Sequence, residues 1–142
     1  MPAKRSDLHT KQVEAWKKKN SGLSDKELPR LFINGILAVR SRSLGTLSNV
    51  TVTVVVDRVL LECQERFSIL SHLSSDSQGI HFDKFSVHIE DSKPREIQDA
   101  LEELLLELLE AFGKITADIL TKNLHKELMA TTYQTSKNRD QK

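Results

Sequence analysis

Cysteine is nearly missing from this chain. Cys63 stands alone, so no internal disulfide can form, and a reducing compartment is expected. Long hydrophobic runs are also missing. The longest are only a few residues, far below the ~20 that cross a bilayer, so no membrane partner is expected. The start, MPAKRSDLHTKQ, has no apolar stretch behind its basic residues; no secretory signal is read there and a cytoplasmic location is expected. Without a secretory route, the sequon Asn49-Val50-Thr51 carries no meaning. The 5 glycines are scattered singly, which leaves no phosphate-cradling loop. No nucleophile elbow, HExxH spacing or Glu-x-x-His pair of the carboxylate di-iron bundles is present. The expectation is a non-enzymatic protein with no catalytic residues, no cofactor and no metal.

What is present suits one globular domain. The chain has 142 residues, 38% hydrophobic and 29% charged, enough to bury a core without disulfides or metal. Its net charge of +1 hides an asymmetry. Residues 1–20 carry Lys4, Arg5, Lys11, Lys17, Lys18 and Lys19 against Asp7 and Glu14, whereas residues 96–113 carry six carboxylates and no base. A basic arm of this kind can bind nucleic acid, an acidic partner, or the acidic helix of its own chain or of a second copy.

The segment 48–70 carries two patterns at once. Val50, Val52, Val54 and Val56 alternate with threonines as in a half-buried strand. Over a longer window Val52, Val56, Val59, Leu60, Cys63, Phe67 and Leu70 fall at helical spacing. The helical pattern explains more of the chain, so a helix over 49–73 is predicted, capped by Ser48 or Asn49. Cys63 lies on its apolar stripe as a small core side chain. Upstream, Ser24-Asp25-Lys26-Glu27 has capping-box spacing before a helix ending near Arg42. Pro29 would delay or bend that helix, and Gly35 would weaken it or permit a close crossing. Leu8, Gln12, Ala15 and Trp16 hint at a short, loosely attached first helix with few apolar anchors. Residues 74–79 read as a polar turn, and 80–90 fit a short helix or an extended segment equally well.

Near Pro94 a long C-terminal helix begins. From Ile97 to Ile119 its apolar residues, among them Leu105, Leu109 and Phe112, cover about half the helix circumference. That width implies two neighbours, either two core helices or one helix and a second subunit. Beyond Gly113 the apolar register shifts, so the helix bends or restarts there, with Thr116 as a cap. Asp99, Glu102, Glu103, Glu107 and Glu110 lie on the polar arc, where solvation is the ordinary outcome. The fold class expected is all-α, an antiparallel helical bundle with a long C-terminal helix. Three parts are read: a basic, loosely attached segment 1–22, a bundle domain 23–132, and a disordered tail 133–142.

DRVLLECQERFSIL, GIHFDKF and ALEELLLELLEAFGKITADILTKNLHKEL, within residues 48–128, together resemble small helical modules at the front of bacterial signalling proteins of the histidine-kinase or cyclase type. The resemblance rests on hydrophobic pattern and a few polar positions, and this chain lacks an output domain. It implies a free-standing regulatory or adaptor version that dimerises or binds another protein.

Three functions follow as expectations. The first is a protein-interaction module, a homodimer whose interface includes Leu105, Leu106, Leu109 and Phe112. The second is nucleic-acid binding through Lys4, Arg5, Lys11, Lys17, Lys18 and Lys19, with Trp16 as a stacking surface. The third is a small-molecule sensor with a pocket between Cys63, Phe67, Phe82 and Phe85. His72, His81 and His88 lack tight ligand spacing, and the histidines as a group read as loop or rim residues that titrate near neutrality.

Overall fold

The computed structural model describes residues 7–89 and 93–133. They are mostly helical: α1 (Asp7–Lys19), α2 (Leu28–Ser43), α3 (Asn49–Arg66), α4 (Asp83–Ile89), α5 (Pro94–Ile115) and α6 (Thr121–Ala130). A two-stranded hairpin, β1 (Ser74–Asp76) and β2 (Gly79–His81), adds the extended structure found among the described residues. None of the described helices is long and apolar enough to cross a membrane.

The buried faces of α2 and α5 form the centre of the core. Leu31, Phe32, Ile36 and Val39 of α2 are shut off from solvent, as are Leu101, Leu105, Leu108 and Phe112 of α5. A turn leads into α2: the Ser24 backbone N–H donates to the Glu27 carboxylate at 2.9 Å, and Glu27 is its N-cap, with no side-chain cap bond. Pro29 sits in its first turn, where a missing N–H costs little. α5 packs against α1, α2, α3 and α6. Neighbours within its own chain therefore account for the wide apolar arc. Leu105, Leu109 and Phe112 are fully buried and Leu106 is 5% exposed, so these four interface candidates are core side chains, not a surface for a second subunit.

The ambiguous valine segment is helical. Ser48 caps α3 by accepting from the Thr51 N–H at 3.1 Å. The helix stops at Arg66, short of the expected 73, because Phe67 turns extended (φ −129°, ψ 99°) and a 3₁₀ turn covers Ser68–His72. The Gln64 amide fixes that turn by donating to the carbonyls of Leu70 and Leu73. Leu70 stays buried despite the break, which is why it matched the helical pattern.

Residues 80–89 divide between the two alternatives: β2 pairs antiparallel with β1, Ser75 opposite Ile80, and α4 follows. Gly79 has φ +140°, a conformation that glycine adopts without a Cβ penalty.

The first helix departs from its expected loose attachment. His9, Val13 and Trp16 form its buried face, whereas Leu8 and Ala15 are exposed. Trp16 meets Phe32 edge-on at 5.7 Å and donates its indole N–H to the Thr131 carbonyl at 2.9 Å. One large aromatic side chain thus supplies the anchoring that a count of aliphatic residues overlooks. The tail beyond Tyr133 lies outside the described residues.

α5 runs through Gly113 and ends with a paired C-cap. The N–H of Asp118 donates to the Gly113 carbonyl at 2.7 Å and that of Ala117 to the Lys114 carbonyl at 3.3 Å. This is the Schellman pattern, and it puts Ala117 (φ 52°) and Asp118 (φ 65°) in the left-handed region. Thr116 serves at both ends of the joint: it is the C-cap of α5, and its hydroxyl accepts from the Leu120 N–H at 3.3 Å.

Candidate functional site

The joint between α5 and α6 faces the start of α1 across an open cleft of ≈ 440 Å³, lined by Leu8, His9, Gln12, Asp118, Thr121, Lys122 and His125. At its base is a chain of three titratable groups. Nε2 of His9 lies 3.4 Å from the Glu110 carboxylate. Nδ1 of the same ring lies 2.9 Å from Nε2 of His125. The two rings stand perpendicular with centroids 5.1 Å apart. His9 is 2% exposed, so these contacts form out of water.

A carboxylate only accepts, so the contact with Glu110 assigns the proton of neutral His9 to Nε2. Nδ1 is then an acceptor, and His125 donates to it through Nε2–H. Burial holds His125 below the ordinary imidazole pKa, and a proton gained by His9 would lower it further. Gly113 leaves room for the assembly. A Cβ there would meet Asp118 Oδ1 at 3.0 Å, Thr121 Oγ1 at 3.1 Å and His9 Nε2 at 3.7 Å. Asp118 is further held by the Thr121 hydroxyl, which donates to its Oδ1 at 2.9 Å.

Sequence reading missed this convergence because 116 residues separate its histidines. A signal existed: His9 sits one turn before Val13 and two before Trp16, on the face that packs inward. Glu110, read as a solvated residue of the polar arc, turns toward that histidine instead.

The basic arm is partly spent within the chain. Lys17 pairs with Glu102 at 2.8 Å and with Glu14 at 3.4 Å. Burial opposes its charge, but the two carboxylates prevail and raise its pKa. Lys19 donates to the Met129 carbonyl at 2.8 Å. Lys11 and Lys18 are exposed, and Lys4 and Arg5 lie outside the described residues. Trp16 is fully buried and cannot stack on a base, which corrects that expectation. The contact between Lys17 and Glu102 is the within-chain alternative that the charge asymmetry left open.

The remaining candidates scatter. His72 and His88 stack face to face at 3.7 Å, while His81 pairs separately with Asp76 at 2.9 Å. The hydrogen bond from His81 is the main reason that the Asp76 pKa is lowered. Among the described residues no group of three or more His, Cys, Asp or Glu side chains is arranged to hold a metal ion. Cys63 and Phe85 are fully buried in the core; Phe82 meets Phe85 edge-on at 6.1 Å and also lines a cleft with Lys26, Arg30 and Ser86.

One helix face lacks cover. Val50, Val54 and Leu61 of α3 are 74%, 60% and 64% exposed. At 100° per residue they fall within a narrow stripe on the side opposite Val52, Val56 and Cys63. No family model, curated protein or solved structure matches this chain.

Proposed function

We propose that this chain is a non-enzymatic regulatory adaptor, an antiparallel helical bundle that pairs with a second copy of itself through the outer face of α3. The observation that carries the reading is the exposed stripe of Val50, Val54 and Leu61. A stripe along a single helix is self-complementary about a two-fold axis, and two-fold dimers are the commonest oligomers. Antiparallel pairing brings Val50 of one copy beside Leu61 of the other. The resemblance to the helical modules of bacterial signalling proteins agrees with this role. Its interface is moved from α5, whose leucines are core, to α3.

Light scattering coupled to size exclusion tests the reading. The wild-type chain is expected to run as a dimer at about 100 µM, in the range of modest isologous interfaces. Leu61→Glu is expected to give a monomer that still unfolds cooperatively, since Leu61 contributes little to the core. A wild-type chain that stays monomeric at this concentration refutes the proposal.

A further inference from the structure

The cleft at the α5–α6 joint has a chemistry that the adaptor reading does not use. The chain from Glu110 through His9 to His125 leaves one nitrogen uncommitted to it, Nδ1 of His125, on a ring that lines the cleft. When that nitrogen takes a proton, the imidazolium keeps its bond to His9, and the Glu110 carboxylate stabilises the charge through the intervening ring. The carboxylate itself remains behind His9. The relay therefore places a supported positive charge at the cleft wall and keeps the compensating negative charge away from it.

Lys122 lies one turn earlier on α6 and lines the same cleft, adding a second cation. The amides of the first turn of α6 point toward this end of the helix and add partial positive charge. Opposing these is Asp118, with Oδ1 held by Thr121. The other charged groups on α6 face elsewhere: Lys126 and Glu127 line a separate cleft with Arg42 of α2. From α1 and α5, His9 and Glu110 are the groups in contact with the relay. With His125 protonated, that imidazolium and Lys122 outnumber Asp118 at the cleft wall, and ≈ 440 Å³ is several times the volume of a tetrahedral oxyanion. Leu8, 64% exposed on the cleft wall, offers an apolar surface to the remainder of a ligand.

We infer that this cleft binds a small-molecule phosphate monoester, its phosphoryl oxygens held between His125 Nδ1–H and Lys122 Nζ at the start of α6 and its organic part against Leu8. Binding takes up a proton at His125, because the anion restores what burial removes from that imidazolium.

Titration of the full chain, followed by the His125 ring signals in NMR, tests this with phenyl phosphate, inorganic phosphate and inorganic sulfate. Phenyl phosphate is expected to saturate one site and to bind more tightly than inorganic phosphate. Sulfate keeps a constant charge near neutrality, so its affinity reports the protein alone; it should strengthen about tenfold between about pH 8 and pH 6. Lys122→Gln, at an exposed position, is expected to weaken phenyl phosphate about tenfold, and His125→Gln to weaken it similarly and flatten the pH profile of sulfate. Lys18→Gln should change neither. No saturable site below about 10 mM ligand, a position-blind loss shared by Lys18→Gln, or a pH profile that survives His125→Gln overturns the inference. Phosphate and phenyl phosphate binding equally would refute the monoester and its contact with Leu8.

Discussion

A Cβ on Gly35 would stand 2.7 Å from Cη2 of Trp16, closer than real Cβ contacts occur. The same atom would meet Leu128 Cδ1 at 3.0 Å. Gly35 is therefore where α1 and α6 both press against α2, and its bare backbone sets how near they come. The helix gives up local propensity for this crossing.

Gly35→Ala is accordingly expected to destabilise the fold although alanine is the better helix former. Overpacking costs about 1–3 kcal/mol, and the propensity gain of up to about 1 kcal/mol returns only part of it. Urea unfolding monitored by Trp16 fluorescence checks the net loss, expected at about 1–2 kcal/mol. An alanine variant at least as stable as wild type would show that the indole can withdraw.

Ala117→Gly should act in the opposite direction. Ala117 occupies the left-handed C′ position of the Schellman cap with φ 52° and is exposed. Glycine removes the Cβ penalty there and keeps both backbone hydrogen bonds, a gain of about 0.5–1 kcal/mol after its unfolded-state entropy is counted. A higher urea midpoint with unchanged slope is the expected result.

The two changes bear on how much of the fold the residues declared in advance. Mostly helical structure, the Ser48 cap, the close crossing at Gly35 and the restart beyond Gly113 were legible, because each depends on spacing within one turn or on one special residue. The end of α3 was not, since Leu70 stays buried in a 3₁₀ turn and continues the periodic pattern. Nor was the placement of Leu105 and Leu109, because a wide apolar arc looks the same whether its second neighbour is another helix of the chain or another copy. The relay of Glu110, His9 and His125 depends on three helices meeting, which no local pattern encodes.

Leu109→Arg and Leu61→Glu separate core from surface. Leu109 is fully buried, and a guanidinium there has no water to solvate it, a loss above about 4 kcal/mol. Circular dichroism is expected to show that Leu109→Arg abolishes cooperative thermal unfolding, whereas Leu61→Glu preserves it. A folded Leu109→Arg monomer would return α5 to the interface.

Cys63 predicts an alkaline limit to stability. Burial pushes its thiol pKa up to about 11 from the ordinary value of 9.0; Arg66, with Nη2 at 3.7 Å from Sγ, works against the shift, and Glu107 and Glu103 add to it. Its folded-state pKa is raised and the group is an acid, so below about pH 9 both folded and unfolded thiols are protonated and the contribution is complete. Between about 9 and about 11 the unfolded chain loses its proton while the folded chain keeps it, so stability falls as pH rises. The loss across this window is roughly 2 kcal/mol. Other groups titrate there as well, so the informative quantity is the difference between wild type and Cys63→Ala. That difference is expected to shrink steadily from about pH 8 to about pH 10.5 in urea titrations. A constant difference would mean that the thiol ionises as readily in the core as in the unfolded chain.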